Sequence, residues 1–367
     1  KAAQDYFLLI GPPGTGKTSC ALKKMVETFH ADKDAQILLL SYTNRAVDEI
    51  CKSLASIAPA VDFIRVGSEL SCDEAYRGHL IENELSSCNR RSEVYERIRN
   101  CRIIVGTVAA ISGKPELFRL KHFDVAIIDE ATQILEPQLL GILCARGEDG
   151  KDAIDKFVLI GDHKQLPAVV QQNTEQSAIY DESLLSIGLT NLKDSLFERL
   201  YRNCTATVHR SYDMLCRQGR MHPEVALFAN RAFYGGRLIP VGLPHQIESS
   251  DTICRLAFYP SVPEKAGASA KINYSEARIV ADLAVRIYED HQTDFDESRT
   301  LGIITPYRSQ IALIKKEIES LGIPALNRIL VDTVERFQGS ERDVIIYSFC
   351  VNYPYQLKFL SLSLIHI

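Results

Sequence analysis

The octapeptide Gly11-Pro12-Pro13-Gly14-Thr15-Gly16-Lys17-Thr18 constrains the fold more than any other part of this 367-residue chain. It fits G-x-x-x-x-G-K-T, follows the apolar run at 6–10 and leads into a helix-prone segment. A loop of this pattern between a strand and a helix cradles phosphates. Its glycines let the backbone curl so that successive N–H groups point inward, and the helix N-terminus adds partial positive charge. Lys17 has the reach for the β- and γ-phosphates of ATP, and the Thr18 hydroxyl suits Mg2+.

The rest of the chain has the rhythm that such a loop needs. Short apolar, β-branched runs occur at 6–10, 37–42, 63–66, 102–108, 125–128 and 157–160, and again at 255–259, 301–305, 329–334 and 344–351. Runs apolar at nearly every position are what parallel strands covered on both faces look like. Helix-prone stretches at 19–28, 45–57 and 309–320 alternate with them, so an α/β fold is expected. The length suits two domains, expected at 1–200 and 201–367. The polar, charged stretch at about 69–100 reads as a helical insertion in the first.

Composition removes several function classes. Hydrophobic residues at 46% and charged residues at 24% are globular values. A net charge of −5 gives no overall basic field, so any nucleic acid must be held by a local groove. No apolar run approaches the roughly 18–20 residues that a membrane helix needs. The 10 cysteines contain no CxxC, which speaks against zinc fingers and iron–sulfur clusters and for thiols in a reducing cytoplasm. The chain starts at Lys1 without an initiator Met or an apolar leader, so further sequence is expected upstream.

Two more blocks carry chemistry. In Val125-Ala126-Ile127-Ile128-Asp129-Glu130-Ala131 an apolar strand ends in two carboxylates. Asp129 suits the Mg2+ shell beside the phosphate loop, and Glu130 suits the general base that takes a proton from attacking water. In Leu159-Ile160-Gly161-Asp162-His163-Lys164-Gln165-Leu166-Pro167 a strand runs into a polar turn. Gln165 there is a candidate contact to the γ-phosphate or to the attacking water. Neither carboxylate nor loop separates a small-molecule kinase from a motor ATPase, although only the motor needs a base that activates water.

Taken together and in this order, the blocks resemble superfamily-1 helicases, in the branch of the nonsense-mediated-decay RNA helicase and its bacterial AAA-type relatives. Residues 11–18 match motif I. Thr43-Asn44-Arg45-Ala46-Val47-Asp48 is similar to motif Ia, Gly106-Thr107 to motif Ic, and Asp129-Glu130-Ala131-Thr132-Gln133 to the DEAxQ form of motif II. Residues 161–167 match the GDxxQLP motif III. Gln218-Gly219-Arg220-Met221-His222-Pro223 resembles the QYRMHP block, Thr305-Pro306-Tyr307-Arg308-Ser309-Gln310 the TPYxxQ block, and residues 331–341 motif V. The resemblance covers residues 5 to about 360.

What the resemblance implies is specific. Two RecA-like P-loop NTPase domains, with parallel sheets flanked by helices, hold ATP and Mg2+ in the cleft between them. Arg220 reaches across from the second domain as an arginine finger. Gly339 and Glu341 contact the nucleotide, Glu341 at the ribose. Thr43, Asn44, Thr107, Tyr307 and Thr333 track the backbone of single-stranded DNA or RNA. The protein is a monomeric motor moving 5′ to 3′, or an ATPase that strips proteins from a strand without unwinding duplex.

The chain also departs from the family pattern. Gly219 stands where an aromatic residue commonly precedes the finger arginine, which removes a base-stacking platform. The family's adenine-recognition motif upstream of motif I and its motif VI after motif V have no match. A truncated piece with impaired hydrolysis is the expectation. Residues 362–367 also read as an in-frame sequencing-adapter end, foreign to the gene.

Overall fold

The first-half apolar runs form β1 (Tyr6–Ile10), β2 (Ile37–Ser41), β3 (Phe63–Val66), β4 (Ile103–Thr107), β5 (Val125–Ile128) and β6 (Phe157–Gly161). The computed structural model describes residues 5–168, 170–206, 211–247, 255–263, 269–337 and 340–357. With β7 (Tyr212–Met214), these strands make one seven-stranded parallel sheet in the order β3-β4-β2-β5-β6-β1-β7.

Strand periodicity divides the core in two. Leu8, Ile10, Leu38, Leu40, Ile104, Ala126, Ile128 and Leu159 face one side, packed with Ile111, Leu139, Ile142 and Phe197. Leu9, Ile37, Leu39, Ile103, Val105, Ile127 and Ile160 face the other, against Val47, Ile50 and Leu54 of helix Asn44–Ala55. Both faces are covered, which is why the runs are apolar at successive positions. Removing Leu39 to Ala would cost about 2–5 kcal/mol, because it is wholly buried between neighbouring strands.

Residues 69–100 form 3₁₀ turns at Glu69–Ser71 and Glu74–His79 and helices Ile81–Glu84 and Arg91–Asn100. They are tied to the sheet by the buried Arg65, which pairs with Asp48 and donates to the Ser71 carbonyl, and by Arg97, which pairs with Asp62 and Glu84.

The division between compact units differs from the expected boundary. One unit is Lys1–Glu248 and the other Ser249–Ile367. A boundary at 200/201 would cut helix Leu196–Ala206, and β7 beyond it pairs with β1 to complete the first sheet. The first unit also holds a small parallel ribbon of β8 (Arg217–Gln218) and β9 (Ile239–Pro240).

In the second unit β10 (Leu301–Ile304), β11 (Leu330–Asp332) and β12 (Val344–Tyr347) form a parallel sheet in the order β11-β10-β12. Helices Tyr274–Asp290 and Arg308–Ser320 bury Val280, Ala284, Ile314 and Ile318 against Leu301, Ile303 and Val331. The expected strand at 255–259 is not there. Leu256 and Phe258 are exposed, and residues 255–259 belong to none of the strands formed by the described residues.

Candidate active site

The phosphate loop leaves the carboxyl end of β1, where the Gly11 N–H donates to the Gly161 carbonyl of β6 at 2.9 Å. Gly14 and Gly16 both have φ of +73°, the left-handed region that only glycine enters without penalty. The Thr15 hydroxyl donates to the Pro12 carbonyl at 2.7 Å and closes the turn over Pro13. Lys17 folds back so that its Nζ donates to the Gly11 carbonyl at 3.0 Å. A π-helical turn, Lys17–Leu22, then runs into helix Lys23–His30 with no side chain capping it at Gly16. π-Helical turns recur at functional sites, and here the uncapped end lies where phosphate is expected.

The two carboxylates meet this loop from β5. Asp129 is 1% exposed and accepts from the Thr18 hydroxyl at 2.6 Å. Burial, and then the neighbouring Glu130 charge, hold its carboxyl well above the ordinary range, while Thr18 and Lys17 pull it down. The Asp129 carboxylate and the Thr18 hydroxyl form an oxygen pair suited to a hard divalent cation, whose charge would favour the ionised carboxylate. Glu130 has φ of +52°, a conformation a glutamate rarely adopts. That strain, of order 1–3 kcal/mol, accompanies a carboxylate 3.6 Å from Lys17 Nζ and held by Gln133 Nε2 at 3.2 Å.

Gln165 reaches the root of the loop. Its Nε2 donates to Asp162 at 2.8 Å and lies 3.5 Å from the Gly11 carbonyl. Arg220 comes to the other side. The Gly219 N–H donates to the Gly14 carbonyl at 2.8 Å, and a Cβ on Gly14 would sit 2.4 Å from the Cβ of Arg220. Arg220 thus belongs to the same compact unit as the phosphate loop, not to the second as expected, because residues 211–247 fold onto the first sheet and its loop. At Gly219 a side chain would meet Leu243 at 3.3 Å.

The strand-contact candidates lie at carboxyl ends of strands, the edge at which α/β sheets bind ligands. Thr43 follows β2 and caps helix Asn44–Ala55, accepting from the Ala46 N–H at 3.2 Å, with Asn44 beginning that helix. Thr107 ends β4 and caps helix Val108–Ser112, accepting from the Ala110 N–H at 3.1 Å. In the strand order, Thr43 is three spacings from β1, about 14 Å, and Thr107 four, about 19 Å. In the second unit Tyr307 follows β10 and Thr333 follows β11, one spacing apart, and the Tyr307 hydroxyl accepts from Gln356 at 3.2 Å. Glu341 is exposed in that unit, and Gly339 lies outside the described residues.

Three participants were not legible in the sequence. Gln218, buried, accepts from the backbone N–H groups of Arg220 at 3.1 Å and Met221 at 2.8 Å. Gln246 donates to the carbonyls of Gln218 and Met221 and fixes that turn from outside. The Tyr234 hydroxyl donates to Asp162 at 2.7 Å. Gln218 stands in a recognised block without an assigned role, and the other two lie outside every block.

Two family models, both of the AAA domain, match residues 2–94 with 82–173 and residues 192–361. The chain is 30% identical over 387 residues to the DNA replication ATP-dependent helicase/nuclease DNA2 of Xenopus laevis, and 29% over 391 residues to that of Homo sapiens; each alignment covers 95% of the chain. It is 24% identical over 417 residues to the DNA polymerase alpha-associated DNA helicase A of Saccharomyces cerevisiae, covering 94% of the chain. The chain spans 32% of the length of both DNA2 relatives and 57% of the yeast protein. Among the described residues no helix is long and apolar enough to cross a membrane. Its two halves are thus matched in order by AAA-domain models, and along nearly all of its length the chain is similar to helicases of superfamily 1.

Proposed function

We propose that this chain is the ATP-driven motor of a longer helicase, coupling hydrolysis of Mg-ATP to 5′ to 3′ movement along single-stranded nucleic acid and working as a monomer. The observation that carries this reading is a convergence. Lys17, Thr18, Asp129, Glu130, Gln165 and Arg220 come together around one loop, and Thr43 and Thr107 lie on the same carboxyl edge of the sheet.

The residues divide the work by chemistry. The backbone of residues 11–18 and the Lys17 ammonium hold the phosphates. Thr18 and Asp129 hold Mg2+, which when bound offsets phosphate charge. Lys17 pairs with Glu130 at 3.6 Å, and a phosphate arriving at the lysine leaves that carboxylate available to take the proton of the attacking water. Gln165 positions that water or the γ-phosphate, and Arg220 stabilises charge spreading onto the γ-phosphoryl oxygens. The roles of Tyr307, Thr333, Gly339 and Glu341 rest on the family resemblance alone.

Within the family we place the chain in the branch of the nonsense-mediated-decay RNA helicase, on Asp129-Glu130-Ala131-Thr132-Gln133 and the block at 161–167. The names of the relatives favour DNA as the strand, and contacts to phosphate leave either sugar acceptable. A reducing compartment, the cytoplasm, suits the buried Cys51 thiol, whose ionisation burial pushes up to about 12. The test is ATP turnover titrated with single-stranded DNA and RNA, followed by strand displacement. Turnover that no strand stimulates would count against a motor, and a small-molecule phosphate acceptor would point to a kinase.

A further inference from the structure

Asp162 is 1% exposed and is surrounded by donors. One of its oxygens accepts from Gln165 Nε2 at 2.8 Å and from the Tyr234 hydroxyl at 2.7 Å; the other accepts from the Lys164 N–H at 3.0 Å. Tyr234 is itself only 6% exposed. It caps the C-terminus of helix Pro223–Phe233, whose N-terminal cap, His222, lies two residues after Arg220. A single short helix therefore carries the arginine segment at one end and the hydroxyl that holds Asp162 at the other.

We propose that Tyr234 is a positioning residue for ATP hydrolysis: through the Asp162 carboxylate its hydroxyl fixes the side-chain amide of Gln165 at the phosphate loop and ties that amide to the segment bearing Arg220. The inference rests on the reading of this site as an ATP hydrolase. The geometry supports a role beyond packing. A phenol ring alone would fill the space, but the hydroxyl is directed at the same carboxylate oxygen that orients Gln165. Hydrogen bonds to an ionised group are the short, strong kind, so this contact sets the rotamer of Asp162 and with it the direction from which Gln165 is held. Burial and the Asp162 charge also push the Tyr234 ionisation upward, which keeps the phenol a donor across the working pH range. Removing the hydroxyl leaves a buried carboxylate with one donor fewer, and Gln165 as the group that must readjust.

The test is Tyr234→Phe in the 367-residue chain, compared with Gln165→Ala and the double variant. Mg-ATP affinity, single-turnover hydrolysis, thermal midpoint and amide exchange at 164–165 are measured together. Expected are an unchanged ATP affinity, hydrolysis slowed about tenfold or more, faster amide exchange at 164–165, and a double variant no slower than Gln165→Ala alone. Hydrolysis by Tyr234→Phe equal to the unaltered chain overturns the inference and leaves the ATPase reading intact. So does a double variant slowed by the full product of the two single effects, since Tyr234 would then act apart from Gln165. If Tyr234→Phe lowers the thermal midpoint and ATP affinity in parallel with the rate, the residue is structural and the inference is likewise refuted. An unaltered chain that hydrolyses no ATP under any strand or metal condition overturns the ATPase reading itself, and the inference falls with it.

Discussion

Replacing Asp129 by Asn should stabilise the chain without nucleotide near neutral pH while abolishing its response to Mg-ATP. Burial and the adjacent Glu130 raise the Asp129 carboxyl from 3.8 to about 6. A folded-state value above the unfolded one means that the native protein holds this proton more tightly. The contribution to stability is then full below about pH 4 and is lost as the pH rises through about 6. Ionisation of this one group accordingly costs up to roughly 3 kcal/mol by pH 8. Asn keeps an acceptor for the Thr18 hydroxyl, now at 2.6 Å from the carboxylate, and carries no charge to desolvate; its NH2 then faces the Glu130 N–H from which Asp129 accepts at 3.0 Å, which offsets part of the gain. Urea midpoints followed by circular dichroism from pH 4 to pH 8, with chelator present, read the difference between the two proteins. The unaltered chain should lose stability relative to Asp129→Asn across that range. Saturating Mg2+ and ATP should reverse the difference in favour of the unaltered chain, because only the carboxylate suits the cation. Parallel pH profiles for the two proteins would show that Asp129 is not held in this environment, and the metal assignment would lose its physical basis.

Lys17→Ala should weaken ATP binding and stop hydrolysis, whereas Glu130→Gln should stop hydrolysis with affinity kept, since Lys17 meets ground-state phosphates and Glu130 acts on water; equal losses of affinity in equilibrium binding would refute the division. Thr107→Val removes the cap of helix Val108–Ser112 and should lower stability by about 1 kcal/mol in thermal or urea unfolding. If its affinity for a single strand is unchanged, Thr107 is a cap and not a strand contact. Affinity for homopolymer strands should fall steeply between low and physiological salt and vary little with base, despite the net charge of −5. A pronounced preference for one short sequence would argue against a translocating motor.

The parts of the fold that were legible in the sequence are those whose chemistry sits in consecutive residues. The phosphate loop follows its strand directly, and β2, β4 and β5 are short runs buried on both faces, so their position on the inner sheet shows in composition alone. What failed depends on partners distant in sequence. β7 is three residues, Tyr212 and Met214 half-buried and Asp213 exposed, that become a strand only because β1 offers a free edge. The run at 255–259 is more apolar, yet it forms no strand with the described residues, and Leu256 and Phe258 are exposed. Thr107 reads as the end of a strand, and nothing in Gly106-Thr107 reveals that its hydroxyl is already occupied as a helix cap. The left-handed backbone of Glu130 is invisible for a stronger reason, since local preference argues against it and tertiary contacts impose it.

The glycines of the motifs show how these distant partners are joined. A glycine in a loop is ordinarily read as freedom for the backbone, and at Gly14 and Gly16 the positive φ supports that reading. Gly11 and Gly161 are different, since neither lies in the left-handed region. A Cβ on Gly11 would stand 2.1 Å from Cγ of Lys17, and one on Gly161 would stand 2.9 Å from Cγ2 of Thr132. These two positions have no room for a side chain because another residue occupies it: at Gly11 the lysine that folds back over its own loop, and at Gly161 the threonine of the carboxylate block pressed on the strand that leads to Asp162. Gly14 combines both demands, with a left-handed backbone and Arg220 at 2.4 Å from its missing Cβ. The phosphate loop, the carboxylate block, the Asp162 turn and the arginine segment therefore touch at glycines. Alanine at either position would leave the local backbone conformation permitted, yet at Gly11 it would displace the Lys17 side chain from its own loop, and at Gly161 it would force the carboxylate block away from the strand that leads to Asp162.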